Sequence, residues 1–205
     1  RPPRSTLFPY TTLFRSVVKE AVYRPDWFDD ARTAYTLDAA RAAARLVESG
    51  GDVTLSTLPV RWEPCDADEL AVARRRLVDV AHALRELSWE TGVTLRLAVE
   101  PEPGCAVQTT GEAIALLAGL ADDVRDHLGV CLDLCHACVE HEDPLDALRR
   151  YDAAGVAVHK IQVSAALVVP DPTDATQRAA LSQFVEPRWL HQVRSEEHTS
   201  ELQSH

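Results

Sequence analysis

The chain has 205 residues, with 21 Lys+Arg against 32 Asp+Glu and a formal net charge of −11. A surface this acidic repels phosphate backbones and argues against nucleic acid as a partner. No apolar run reaches the roughly 18 residues that suggest a membrane span. Five cysteines, three of them crowded between 131 and 138, do not form a disulfide framework and point to a reducing cytoplasm.

The two ends stand apart from the rest. Residues 6–16 read TLFPYTTLFRS and residues 194–205 read RSEEHTSELQSH. Under one choice of codons, each back-translates into one member of a pair of short-read sequencing adapters, and each meets the interior at an Arg-Ser pair. Residues 1–16 and 194–205 are therefore expected to be adapter-derived, with 17–193 as the natural domain. Those 177 residues hold 17 of the basic and 29 of the acidic side chains, a net charge of −12. This is about one domain by the usual length prior, and shorter than the roughly 250 residues of a complete (β/α)8 barrel. No signal peptide follows Val17, and the true N-terminus is expected to lie outside the chain.

Along the interior, helical and strand patterns alternate. Residues 39–47 lie in an Ala-rich helix that stops at Gly50-Gly51, and 53–58 is a β-branched run ending at Pro59. A long helix follows, with Asp66 and Glu69 at capping-box spacing, Leu70, Leu77, Val80, Leu84 and Leu87 as its apolar stripe, and Gly92 as its stop. The next strand covers 93–100. Thr109 and Glu112 open a helix with Ile114, Leu117, Val124 and Leu128 on one face, and 130–134 is a strand. Asp143-Pro144 starts a short helix, 156–164 is the fourth strand, and 171–174 is a loop. Repeated βα units predict a parallel sheet with helices outside it. No strand leads into a GxGxxG or Walker loop, which weighs against the nucleotide-binding version of this pattern.

Barrel strands turn alternate residues inward and gather chemistry at their C-terminal ends. In 93–100, Leu95, Leu97 and Val99 suit packing against helices, while Arg96, Ala98 and Glu100 face inward. In 130–134 the inward set is Cys131 and Asp133, followed by Cys135. In 156–164 it is Lys160, Gln162 and Ser164, with His159, Ile161 and Val163 on the helix side. Inward carboxylates are costly unless neutralised. A divalent metal on Glu100 and Asp133 is one answer. Ion pairs with Arg96 and Lys160 are the other, and acidic residues at strand ends also serve as helix caps. Cys135 and Cys138 form a CxxC, but no second CxxC accompanies it, so ordinary inward or helix-start cysteines are favoured over a redox pair or a zinc knot. His82 and His127 read as surface helix residues. Lys19, Tyr23 and Arg24 lie in a loop before the first helix, and would contact an anionic substrate if that loop covers the rim.

LAVEPEP at 97–103 followed by GVCLDLCH at 129–136 resembles the xylose-isomerase-like barrels of sugar isomerases and epimerases. The resemblance implies that Glu100 and Asp133 bind a divalent metal (Mn, Mg, Co or Zn) and that His136 joins the metal or binds substrate. These families carry a His on the inward rim of the next strand, where this chain has Gln162, a weaker ligand. Lys160 is also unusual there. VVKEAVYRPDW, STLPV, EPEP, CLDLCHACVE, KIQVSAAL and FVEPRWLHQ together are similar to the EboE family of metabolite traffic proteins, encoded in bacterial clusters with a prenyltransferase-like membrane protein. That likeness implies an α/β fold, an incomplete (β/α)8 TIM barrel lacking its first and last strands. The isomerase and epimerase resemblance implies proton transfer beside a carbonyl, with the metal polarising oxygens and a carboxylate as base.

His136 and Lys160 are then the candidate catalytic residues, Gln162, Glu102 and Arg24 the substrate contacts, and Glu100, Asp133 and His136 the metal ligands. The alternative is a non-catalytic module that holds a small metabolite for the membrane partner, a reading that Gln162 in place of His favours. An apurinic-site nuclease on the same fold conflicts with the charge. As written, the chain is expected neither to close a stable barrel nor to turn over substrate.

Overall fold

Caps and glycines punctuate the chain into alternating helices and strands. The computed structural model describes residues 19–184 and 193–194. Of these, residues 23–166 with 193–194 belong to one compact unit, and residues 19–22 with 167–184 belong to another. Residues 17–18, residues 185–192 of the FVEPRWLHQ motif, and the terminal segments read as adapter (Arg194 excepted) lie outside the described residues.

Helix α1 (Asp30–Ala44) begins well before its Ala-rich stretch because Asp29 caps it, accepting from the Ala31 N–H at 2.8 Å. Helix α2 (Ala67–Thr91) starts on the predicted capping box. Asp66 accepts from the Glu69 N–H at 2.8 Å, and Glu69 accepts from the Asp66 N–H at 3.0 Å. It ends where Gly92 turns left-handed, at φ 70°. Its buried face, Ala73, Leu77, Val80, Ala81 and Leu84, recurs at helical spacing.

Strands β1 (Asp52–Thr57), β2 (Thr94–Val99), β3 (Leu128–Asp133) and β4 (Val158–Gln162) pair in parallel in chain order. Leu95, Leu97, Val99, Val130 and Leu132 turn to the helices and join one core, as alternation predicts. The sheet curls, so that Lys160 Nζ on β4 reaches Ser56 Oγ on β1 at 2.7 Å. The result is a four-stranded half-barrel with helices outside, as expected of an incomplete barrel.

Three local readings change. The helix predicted over 109–128 is two, α3 (Thr110–Leu117) and α4 (Asp122–Arg125), broken at Gly119 with φ 72°. Leu128 opens β3, and His127 sits in the turn before it with Nδ1 on the Leu95 carbonyl at 2.7 Å. The strand predicted through Leu134 ends at Asp133, because the Asp133 carboxylate caps helix α5 (Leu134–Val139). Cys135 therefore belongs to a helix rather than to an inward strand face. Strand β4 is shorter than the 156–164 run. Helix α6 (Pro144–Ala153) starts at Asp143-Pro144 as predicted. In the other unit, Asp174 caps helix α7 (Ala175–Ser182). Among the described residues no helix is long and apolar enough to cross a membrane.

Candidate metal centre

Three adjacent strands deliver one polar residue each to the same end of the sheet. Glu100 follows β2 directly, its N–H donating to the Thr57 carbonyl of β1 at 3.0 Å. Asp133 ends β3 and Gln162 ends β4, and the two are register partners. His136 stands one turn into α5. Glu100, Asp133 and His136 each offer a ligand atom within 4.8 Å of the others. The sequence-predicted metal ligands thus meet, and Gln162 joins them.

The hydrogen bonds divide the labour of Asp133 between its two oxygens. Oδ1 accepts from the N–H groups of Cys135 (2.8 Å) and His136 (3.2 Å) and from Ser164 Oγ (2.5 Å). Oδ2 accepts from Gln162 Nε2 at 2.8 Å. One oxygen therefore caps the helix and the other meets Gln162, so the cap and the site use the same carboxylate. The same Gln162 nitrogen donates to Glu100 Oε1 at 2.7 Å. His136 Nδ1 lies 3.1 Å from the Pro101 carbonyl, which can only accept, so Nδ1 is the donor there, and it also lies 3.6 Å from Glu100 Oε1. The ring's Nε2 lies 3.9 Å from Glu102 Oε1.

The two carboxyls are held apart in acidity. Burial, reinforced by Asp133 and Glu102, pushes Glu100 above the ordinary carboxylate range despite His136 and Gln162. Burial would also raise Asp133, but the bonds from Ser164, His136 and Gln162 outweigh it and hold that carboxyl below its ordinary range.

Tyr23 does reach the rim. Its hydroxyl donates to Glu102 Oε1 at 2.6 Å, and its ring stacks on Trp62 with centroids 5.1 Å apart. Burial first, and then Glu102, raise the Tyr23 hydroxyl far above its usual range, so it stays a donor. Neither Trp62 nor the Ser164 bond to Asp133 was signalled by motif. Trp62 sits in an irregular loop between Val60 and Glu63, both at positive φ. Ser164 was marked only as inward.

Two further expected site residues make no hydrogen bond to Glu100, Asp133 or His136 among the described residues. Lys160 is inward, but its ammonium is hydrogen-bonded to Ser56. Arg24 is exposed on the loop beside Tyr23. Arg96 pairs with Asp52 at 2.7 Å. The ion-pair alternative for the carboxylates is therefore not realised, and among the described residues neither Glu100 nor Asp133 has a Lys or Arg partner. All five cysteines are free. Burial pushes Cys131 up to about 11 and raises Cys135, the opposite of an activated thiol. A cleft of about 840 Å³, lined in part by Thr94, His127, Val158 and His159, opens at the other end of the strands, where barrel chemistry does not gather.

The donor set fits a divalent ion. One buried and one partly buried carboxylate converge with an imidazole and, among the described residues, with no Lys or Arg, a combination that a hard cation would neutralise. A sequence profile of xylose isomerase-like TIM barrels matches residues 17–183. The chain belongs to that family.

Solved structures similar to this xylose isomerase-like chain include three of about equal likeness. A D-tagatose 3-epimerase-like protein has a TM-score of 0.45 and 14% identity over 64% of this chain and 47% of that one. The IOLI protein, solved with a binding zinc atom, has a TM-score of 0.41 and 20% identity over 60% of this chain and 41% of that one. A family 2 AP endonuclease from Brucella melitensis has a TM-score of 0.47 and 17% identity over 95% of this chain and 71% of that one. The chain spans less than half the length of the first two. No curated protein sequence matches the chain.

Proposed function

We propose that the chain is part of an EboE-like, divalent-metal barrel of the sugar isomerase/epimerase type, acting on a small metabolite by proton transfer beside a carbonyl. The observation that carries this reading is the meeting of Glu100, Asp133 and His136 within 4.8 Å at the C-terminal ends of parallel strands. When bound, the ion would polarise substrate oxygens. The chain's own residues do the rest. Glu100 and Asp133 hold charge at the rim, α5 aims His136 into the cleft, and Tyr23 keeps Glu102 facing His136 Nε2.

Calorimetric titration with Mn²⁺, Mg²⁺, Co²⁺ or Zn²⁺ tests it. Binding by the chain should be detectable and should vanish in both Glu100→Ala and Asp133→Asn. If the wild type binds none of these ions, or if Glu100→Ala binds them equally well, the metal reading fails.

A second reading, a non-catalytic metabolite-binding module working with a prenyltransferase-like membrane partner, is supported by Lys160. With its ammonium on Ser56, one of the two candidate proton-transfer residues is away from the carboxylates. Deuterium exchange separates the two readings. A complete barrel that binds a ketose in heavy water and labels its carbon beside the carbonyl is an isomerase, whereas one that binds it unlabelled is a carrier.

A further inference from the structure

We propose that Gln162 is an ion-selecting ligand, which turns its amide over to present Oε1 and makes this an oxygen-dominated site that narrows the usual advantage of zinc over manganese and magnesium. The proposal rests on the metal reading above and deepens it. Gln162 Nε2 lies 2.7 Å from Glu100 Oε1 and 2.8 Å from Asp133 Oδ2. The amide nitrogen thus occupies the point on which both carboxylates converge, and shares its two hydrogens between them.

A cation at that point would be repelled by the N–H dipoles. Half a turn about the terminal side-chain torsion, which is broad and soft, exchanges nitrogen for oxygen without moving the backbone. The amide end then changes from donor to the two carboxylates into a third oxygen beside them. Among the described residues, His136 is the one nitrogen or sulfur ligand grouped with the two carboxylates. His136 Nδ1 is engaged by the Pro101 carbonyl, so its ring can offer no more than one nitrogen, Nε2. Cys131 lies one pleat below the rim, where its strand neighbour in register is Lys160 rather than Gln162. Three oxygens against at most one nitrogen is the donor balance that suits Mg²⁺ and Mn²⁺, whereas imidazole and thiolate sets suit zinc.

The test measures Mn²⁺ and Zn²⁺ dissociation constants by calorimetry for the full chain and for Gln162→His, Gln162→Met and Gln162→Glu. Circular dichroism confirms the fold of each variant, and Co²⁺ visible absorption reports the change of donor. Gln162→Met, similar in length but without the oxygen, should weaken Mn²⁺ at least tenfold. Gln162→His should raise the zinc-to-manganese affinity ratio at least tenfold and shift the Co²⁺ bands. Gln162→Glu should bind Mn²⁺ more tightly than the wild type. If Gln162→Met binds Mn²⁺ as tightly as the wild type or more so, the amide is only a plug and the inference is overturned. An unchanged zinc-to-manganese ratio in Gln162→His overturns it as well. In either case, binding that still depends on Glu100 leaves the metal reading intact. Absence of binding in the wild type and every variant overturns both.

Discussion

Strands β3 and β4 are neighbours in one sheet, yet they meet water very differently. All six residues of β3 are buried, whereas none of the five in β4 is. The helix-side face of β3, Leu128, Val130 and Leu132, is walled by helices. The matching face of β4 leaves Ile161 48% exposed, and Val163 just beyond it 89% exposed. Both strands nevertheless end in a residue of the candidate centre, Asp133 and Gln162. The centre is therefore built on unequal foundations. Its carboxylates stand on a packed interior, and its amide stands on the open edge of the sheet, where strand order leaves β4 without a further partner among the described residues.

The contrast should be largest in stability. Leu97 is wholly buried on β2, between the helices and β3. Leu97→Ala should lower the unfolding free energy by about 2–5 kcal/mol, through lost transfer energy and a residual cavity. Ile161→Ala, on the half-exposed face, should cost less than about 1 kcal/mol. Urea unfolding of both variants measures the difference. Equal losses would mean that β4 is packed as well as β3 and that the inequality is not real.

The junction between the two strands should show an intermediate effect. A Cβ on Gly129 would lie 2.3 Å from the Ala157 carbonyl oxygen and 2.7 Å from the His159 ring. That oxygen is also the acceptor for the Val130 N–H at 2.9 Å, next to the register shift between Val130 and Cys131. Because the obstacle is backbone, it cannot simply rotate away. Gly129→Ala should cost about 1–3 kcal/mol, as overpacking does. It should also loosen β4 more than β2, which amide hydrogen exchange would resolve strand by strand.

His159 gives the junction a pH dependence. Burial, assisted by nearby Arg96, lowers its pKa from 6.5 even though the Arg125 carbonyl accepts from its ring. The unfolded chain therefore takes up this proton first as the pH falls. The neutral histidine's contribution is complete above the unfolded value of about 6.5 and is lost on acidification below it. Wild type should lose urea resistance between about pH 7.5 and pH 5.5 more steeply than His159→Gln, which removes the titrating group. Parallel curves for the two proteins would count against a half-buried His159 whose pKa is lowered by desolvation.

Much of the packed half was legible because its signals are local. The Asp66 and Glu69 spacing is a capping box on paper and in space, and the Leu95, Leu97, Val99 alternation marks the buried face of β2. Glu100 and Asp133 were legible as strand-end carboxylates one βα unit apart. What escaped depends on distance along the chain. Tyr23 meets Glu102 across 79 positions, through a loop with no periodicity to read. Trp27, fully buried with its indole N–H on Thr57 Oγ1 at 3.1 Å, belongs to the same loop. Sequence leaves Asp133 open as either cap or site, and the structure uses one oxygen for the cap and turns the other to Gln162. Lys160 shows a different limit. Alternation places it on the inward face but does not say how deep. Register pairs it with Cys131 and Gln162 with Asp133, so the lysine sits two residues, roughly 6–7 Å, below the rim.

That depth leads to the smallest expected effect and the sharpest use of it. Were Lys160 the counter-charge for Glu100 and Asp133, its removal would strand buried carboxylates and cost about 3–5 kcal/mol. Its ammonium instead donates to Ser56 Oγ at 2.7 Å. Lys160→Met should therefore change the unfolding free energy by no more than about 0.5 kcal/mol, the scale of an exposed substitution. Ser56→Ala should match it, and the double variant should add nothing, since both remove the same bond. A loss of several kcal/mol from Lys160→Met alone would place the lysine among the carboxylates. The centre would then be an ion-paired core in which a divalent cation has no charge left to neutralise.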